Sequence, residues 1–390
     1  MKENKNQLRK VIFIIDTIQG SGAERSLVEI AKHFKFYTPV FVHIYKGDML
    51  KPELELSGIS VYSLNIEKKY GFKEAVEKLI PIYYKEKPAL VHSTLYRADI
   101  VARKLKNKFP EIPLIGSFVN NSYTPLRYKN KNLLMKFKLW LAYQQDYHTA
   151  KKVNFFISNS ETIKKSEGEA LNVPDEKIKV IYRGRDPKRF ENITIQESDN
   201  LRKTLDILGE KVLVNVSRLI ERKGQLDIIK IMPGILIEHP NTVLLIAGHG
   251  SFRENLENEI TTLGLEKNVK LLGRFSQIPE LLSIADVFLY PSYAEGLPGA
   301  LIEAMMSSCI IVNSNISENL ECVDETNSLT YPVGNLEMLE THILDVLNNP
   351  EEYKKLGIKA KHTAKEKFSI THIALEYENT YNNILKNFNV

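Results

Sequence analysis

Short apolar runs recur along the chain, and between them apolar positions return every three or four residues. Val11–Ile15 is a β-branched run that predicts a buried first strand, and similar runs fall at 40–44, 61–64, 89–92, 114–118 and 153–157. Helical spacing appears over about 72–85 and 99–109. The run at 153–157 reads as the last strand of this half, and Ser158-Asn159-Ser160 after it reads as a helix start. The pattern restarts at 212–216 and repeats at 243–247, 269–272, 287–289 and 310–312, with helical stretches near 279–285, 336–347, 350–368 and 370–386. Strand and helix alternating at this pitch predict α/β architecture with parallel, doubly wound sheets. A chain of 390 residues exceeds one core and predicts two domains, and the polar stretch 191–200 reads as the linker.

The second half centres on PSYAEGLPGALIEAMMSSC, Pro291–Cys309. A strand pattern stops at Pro291, a turn follows with Gly296, Leu297, Pro298 and Gly299, and then comes a run of good helix formers. The first amides of a helix point outward without partners, and the dipole adds positive charge there, so the junction favours an anion. Glu295 in the loop and Glu303 in the helix would repel a bare anion. A ligand with both phosphate and hydroxyl-rich rings fits both features, because carboxylates accept hydrogen bonds from sugar hydroxyls. That describes a nucleotide-sugar. The alternative is that Glu295 caps the helix and Glu303 is a solvated surface residue.

Composition narrows the class. Hydrophobic content of 43% and charged content of 26% are those of a soluble globular protein. Two cysteines, Cys309 and Cys322, make no disulfide framework and predict a reducing, cytoplasmic setting. No CxxC or His cluster suggests a metal site. MKENKNQLRK precedes too short an apolar run for a secretory leader, and no segment approaches the roughly 18 apolar residues of a membrane span. Net charge is +5 but uneven: residues 1–190 carry 35 Lys+Arg against 20 Asp+Glu, and the remainder 18 against 28. The basic half implies an anionic partner, whether membrane surface, lipid diphosphate or nucleic acid. Its lysines are dispersed over several elements with no nucleic-acid module, which argues against the last. Within KNKNLLMKFKLWLAYQQDYHTA, Lys129–Ala150, the residues Leu133, Leu134, Phe137 and Leu141 fall at helical spacing among Lys131, Lys136 and Lys138. Two readings stay open there: a basic amphipathic surface for anionic lipid, or a core-packed helix with solvated lysines.

Glu295 and Glu303, with seven residues between them and flanks from Ala285-Asp286-Val287 to Glu303-Ala304-Met305, resemble the signature of retaining glycosyltransferases of the GT-B fold, glycosyltransferase family 4. The resemblance implies two Rossmann-like domains facing a cleft: an acceptor-side domain at 1–190, a donor domain at 191–368, and a closing helix at 369–390 that crosses back to the first domain. Tyr377, Tyr381 and Leu385 at i, i+4 and i+8 suit such a helix. It also implies roles. Arg218 and Lys223 flank a strand-to-helix loop and stabilise the leaving diphosphate, Glu303 holds ribose, Glu295 contacts the donor sugar, and the 296–299 turn meets phosphate. Gly248 ends a strand at the cleft edge, and Arg274 with Phe275 lies near the base. Gly20, Ser21 and Gly22 form the glycine loop after the first strand, and His92 within VHSTLYRAD stands on the acceptor side. A lone His at a strand end is also commonly a structural hydrogen bonder.

Three departures qualify the match. Ser21 replaces a family glycine, Ser308-Cys309-Ile310 replaces a Gly-x-Pro helix ending, and GSFVNN lacks a family His, leaving Asn120 or Asn121 in its place. The expected activity is transfer of a hexosyl or N-acetylhexosaminyl group, with retention, from a nucleoside diphosphate-sugar (a UDP-sugar foremost). The acceptor is a glycan or a lipid-linked glycan, in polysaccharide or glycolipid synthesis, and no metal is required. A GT-B epimerase or hydrolase, or a non-catalytic sugar-nucleotide-binding partner, is the rival. Peripheral contact with the inner face of a membrane is expected of the first half.

Overall fold

In parallel strands buried on both faces most residues are apolar, so near-continuous β-branched runs mark them better than alternation does. The structure, a computed structural model, describes residues 8–124, 128, 131–207, 209 and 211–388. Its first sheet contains β1 (Arg9–Ile15), β2 (Tyr37–His43), β3 (Ser60–Ser63), β4 (Leu90–Thr94), β5 (Leu114–Phe118), β6 (Phe155–Ser158) and β7 (Ile178–Val180). They lie in the order β3-β2-β1-β4-β5-β6-β7, all parallel. The second sheet contains β8 (Lys211–Val216), β9 (Thr242–Ala247), β10 (Val269–Gly273), β11 (Val287–Tyr290), β12 (Ile311–Ser314) and β13 (Leu329–Tyr331), in the order β10-β9-β8-β11-β12-β13. Both are doubly wound, with strand order reversing at β1/β4 and at β8/β11. Ligands of open α/β sheets sit at such reversals, beyond the carboxyl ends of the strands.

The chain divides into two compact units, one from the described residues of Met1–Gly184 with Ile370–Val390, the other Arg185–Ser369. The helix Ile370–Asn387 therefore belongs to the first unit. Tyr377, Tyr381 and Leu385 are buried there, and Glu378 accepts the backbone N–H groups of Lys35 (2.8 Å), Phe36 (2.6 Å) and Tyr37 (3.0 Å).

Residues 191–200 are not an unstructured linker. Thr194 and Glu197 form a reciprocal capping box that starts a helix, Ile195–Thr204, within the second unit. The stretch is polar because this helix is largely exposed. Short β7 adds a strand beyond the one read as last.

The helix Gly299–Met306 ends at Ser308, which takes a left-handed φ of +60° where glycine is the usual choice. The closure still forms, with Cys309 N–H donating to Ala304 at 3.1 Å. A non-glycine residue in this conformation costs roughly 1–2 kcal/mol, partly offset by the freedom glycine has when unfolded. Ser308→Gly is thus expected to raise the melting temperature by about 2–4 °C, read by calorimetry. A lower melting temperature would show that the serine is not strained.

Candidate functional site

The loops beyond β8 and β11 meet at the reversal point of the second sheet. After β8 the chain runs through Arg218 to a short 3-10 turn, Glu221–Lys223, and Gly224 with φ +69°. A side chain at Gly224 would meet the Pro291 carbonyl oxygen at 2.2 Å, so only glycine lets the two loops touch. Arg222 donates from its guanidinium to the Ala294 carbonyl, and Tyr293 N–H donates to the Arg222 carbonyl at 2.9 Å. The β9 loop packs in as closely, since a Cβ at Gly248 would fall 1.8 Å from the Ser217 carbonyl oxygen. Gly248 N–H donates to Gly273 at 2.8 Å, and Leu219 N–H donates to His249 at 3.0 Å. The ends of β8, β9, β10 and β11 thus form one backbone-braced surface.

Lys223 and Glu295 form an ion pair across this junction, both buried, with the Tyr290 hydroxyl 3.4 Å from the ammonium. Burial pushes the Lys223 pKa below its ordinary value, and the nearby Arg222 and Arg218 guanidinium groups push the same way. Burial favours the neutral Glu295 carboxyl, but Lys223 and Ser292 outweigh it and hold its pKa below the usual range. A desolvated ion pair held by its surroundings is a costly arrangement, and removing one partner strands the other. Arg218 is exposed and close enough to act on Lys223 through its charge.

Glu303 sits one turn inside the helix Gly299–Met306 and accepts from Arg185 Nε at 2.7 Å. The same guanidinium lies over the helix start, where a Cβ at Gly299 would meet it at 2.3 Å. Arg185 therefore touches both features on which the nucleotide-sugar reading rests, yet no local pattern in the sequence marks it. Pro298 and the Leu297 side chain are buried, so Leu297 can offer a ligand only its main chain. Arg274 is exposed and Phe275 half-buried beyond β10.

In the first unit Gly20 takes φ +92° after β1, and Ser21 N–H is satisfied by Glu24 at 2.8 Å. Gly22 starts the following helix beside Arg183. His92 does not stand on a ligand-facing surface. It is fully buried, with Nδ1 paired to the Tyr381 hydroxyl and Nε2 to the Ser117 hydroxyl, both at 2.7 Å. Its place in mid-sheet, under the last helix, corrects the acceptor-side expectation.

A cavity of about 250 Å³ lies beyond β4 and β5, lined by Asn120, Asp99, Arg103, Tyr123, Asp146 and Glu167 among others. Arg103 pairs with Asp146 and donates to Thr149 Oγ1 at 3.0 Å, and Tyr123 donates to Asp146. Burial raises the Asp99 pKa to about 7 despite Arg103, while Ser93 donates to its carboxylate at 2.7 Å. Sequence reasoning found Asn120 here and missed the charged group. Its members come from four separate elements, the helix Tyr96–Lys106, the helix Leu133–Ala150, the helix Glu161–Leu171 and the loop after β5.

Residues 197–363 match the family model of glycosyl transferases group 1, and residues 20–189 match that of Glycosyltransferase Family 4. The chain is 31% identical over 230 residues to the uncharacterized glycosyltransferase MJ1607 of Methanocaldococcus jannaschii, a match covering 58% of this chain and 59% of that protein. It is 29% identical to the capsular polysaccharide biosynthesis glycosyltransferase CapH of Staphylococcus aureus, over 80% of this chain and 83% of CapH. Anabaena Alr3699/HepE in complex with UDP-glucose superposes with a TM-score of 0.82 at 21% identity, over 96% of this chain and 99% of that one. Two doubly wound parallel sheets and two adjoining family matches agree: the fold is that of the GT-B glycosyltransferases, with a stretch similar to Glycosyltransferase Family 4 followed by one similar to glycosyl transferases group 1.

Proposed function

We propose that the second unit binds a nucleoside diphosphate-sugar, with a UDP-sugar as first choice, and that the protein transfers the sugar with retention to a glycan or lipid-linked glycan. The observation that carries the reading is the cluster of Lys223, Glu295, Arg218, Arg185 and Glu303 around one sheet reversal and one helix start. The names of CapH and of the HepE complex support the reaction class and the donor class. Arg218 and Lys223 face the leaving diphosphate together with the first amides of the helix Gly299–Met306. Glu303 takes the ribose hydroxyls, and Glu295 holds Lys223 in place beside the donor sugar.

In the reaction the anomeric C–O bond to the diphosphate breaks and a bond to the acceptor oxygen forms on the same face. The acceptor proton passes to the leaving diphosphate, which needs no enzyme nucleophile. Glu295, buried against Lys223, is poorly placed for covalent attack, which favours this front-face route. Protein cations neutralise the charge, so no metal is required. The polar cavity with Asn120 and Asp99 is proposed as the acceptor side, and the buried free cysteines fit work in a reducing compartment.

Arg185 gives the reading a sharp test. Ribose binding to Glu303 would release Arg185 toward the diphosphate. Glu303→Ala is then expected to weaken both uridine and UDP by about 10–100-fold, the value of a hydrogen bond to a charged group. Arg185→Ala is expected to weaken UDP by a similar factor and leave uridine unchanged. Titration calorimetry of both ligands on both variants reads this directly. Equal loss of uridine and UDP in Arg185→Ala, or no loss in either variant, would refute the assignment. NMR of the product's anomeric proton checks retention, and donor alone checks for epimerisation.

A further inference from the structure

One face of the helix Leu133–Ala150 contributes Leu139, Ala142 and Asp146 to the cavity wall. Among the described residues, nothing covers the other face of its first half. Leu133 is 85% exposed, Leu134 63%, Phe137 55%, Trp140 47% and Leu141 48%. At about 100° per residue these five fall within an arc of roughly 120°. Lys136 and Lys138, both exposed, border that arc on its two sides. Phe137 and Trp140 stack with ring centres 5.8 Å apart. Other large exposed apolar side chains, such as Leu56, Ile195 and Ile237, stand far apart in sequence, as single surface residues normally do. The core-packed reading of this segment holds only for its second half, where Asp146 and Ala150 are buried.

Charge decides what kind of partner suits the face. From Ile112 to Gln145 the sequence contains no Asp or Glu, while Lys136 and Lys138 rim the apolar stripe and Lys131 precedes the helix. Lysines on the borders of an apolar stripe can lay their stems along it and hold their ammonium groups at phosphate level. A protein partner would need to supply a complementary acidic rim, whereas an anionic bilayer supplies one everywhere. We infer that the first half of this helix is a membrane-docking surface for an anionic phospholipid bilayer, with Phe137, Trp140 and Leu141 entering the headgroup boundary. The inference concerns binding alone and does not depend on the transferase reading.

Co-sedimentation of the full chain with vesicles tests it. Expected is binding to phosphatidylglycerol-rich vesicles and at least tenfold weaker binding to pure phosphatidylcholine. Neutralising two lysines near the surface in Lys136→Gln/Lys138→Gln should weaken binding about 30-fold. Phe137→Ala/Trp140→Ala should abolish it, and both double variants should melt at the wild-type temperature, because the changed side chains are exposed. No sedimentation with either vesicle, or equal binding to both, would overturn the proposal. So would a lipid-free dimer that Phe137→Ala/Trp140→Ala dissolves, since the face would then serve a second copy of the chain.

Discussion

Lys223→Ala is expected to lower turnover by about a hundredfold or more while leaving UDP affinity within a few-fold of wild type. The ammonium is buried, partly desolvated and aimed by Glu295, and a preorganised cation in such surroundings stabilises developing charge far better than one in water. Loss of one such group commonly costs ~3 kcal/mol of transition-state stabilisation. The same change strands the Glu295 carboxylate in a buried place, which costs ~3–5 kcal/mol of folding stability. A measured loss of rate alone would therefore be ambiguous. Lys223→Met/Glu295→Gln removes the charge together with its counter-charge, so it should restore most of the stability and none of the rate. Rates at saturating donor, with melting curves on all three proteins, separate the two effects. Recovery of turnover in the double variant would show that Lys223 acts only by holding the fold.

The difference between what could and could not be read from the sequence follows from distance along the chain. Buried parallel strands announce themselves as apolar runs, and β1, β5, β8 and β9 lie within three residues of their expected bounds at either end. Three-residue strands such as β7 and β13 are too short to show any pattern. The helix Ile195–Thr204 was hidden by its polarity, although Thr194 and Glu197 carry the capping spacing. Glu295, Glu303, Arg218 and Lys223 were legible because each sits in or beside a strand-to-helix junction with local chemistry. Arg185 was not, since its partner Glu303 is 118 residues away. Arg103 and Asp146 were missed for the same reason, 43 residues apart on different helices. His92 was misplaced because a strand-end histidine in the sequence says nothing of the tyrosine that covers it. Tyr381 arrives from the closing helix, 289 residues later.

That covered histidine should make the first unit acid-labile. His92 packs against Phe13, Tyr377 and Tyr381, and its ring nitrogens meet only hydroxyl groups, so nothing beside it favours the charged form. Burial lowers its pKa from 6.5 to about 3. The unfolded chain therefore binds a proton that the folded chain refuses. The stability this contributes is complete above about pH 6.5 and is lost as pH falls toward 3, about 5 kcal/mol in full. Between pH 7 and pH 4 roughly 3 kcal/mol should disappear through this residue, a large share of an ordinary domain's 5–15 kcal/mol. His92→Gln keeps an amide able to pair with both hydroxyls but cannot titrate. Its stability at pH 7 should lie somewhat below wild type, and its decline between pH 7 and pH 4 should be shallower by about 3 kcal/mol. Urea unfolding followed by circular dichroism at several pH values measures both slopes, and carboxylates common to the two proteins cancel in the difference. Parallel slopes would mean that the imidazole is protonated in the folded state after all, and that the closing helix opens to let water reach it.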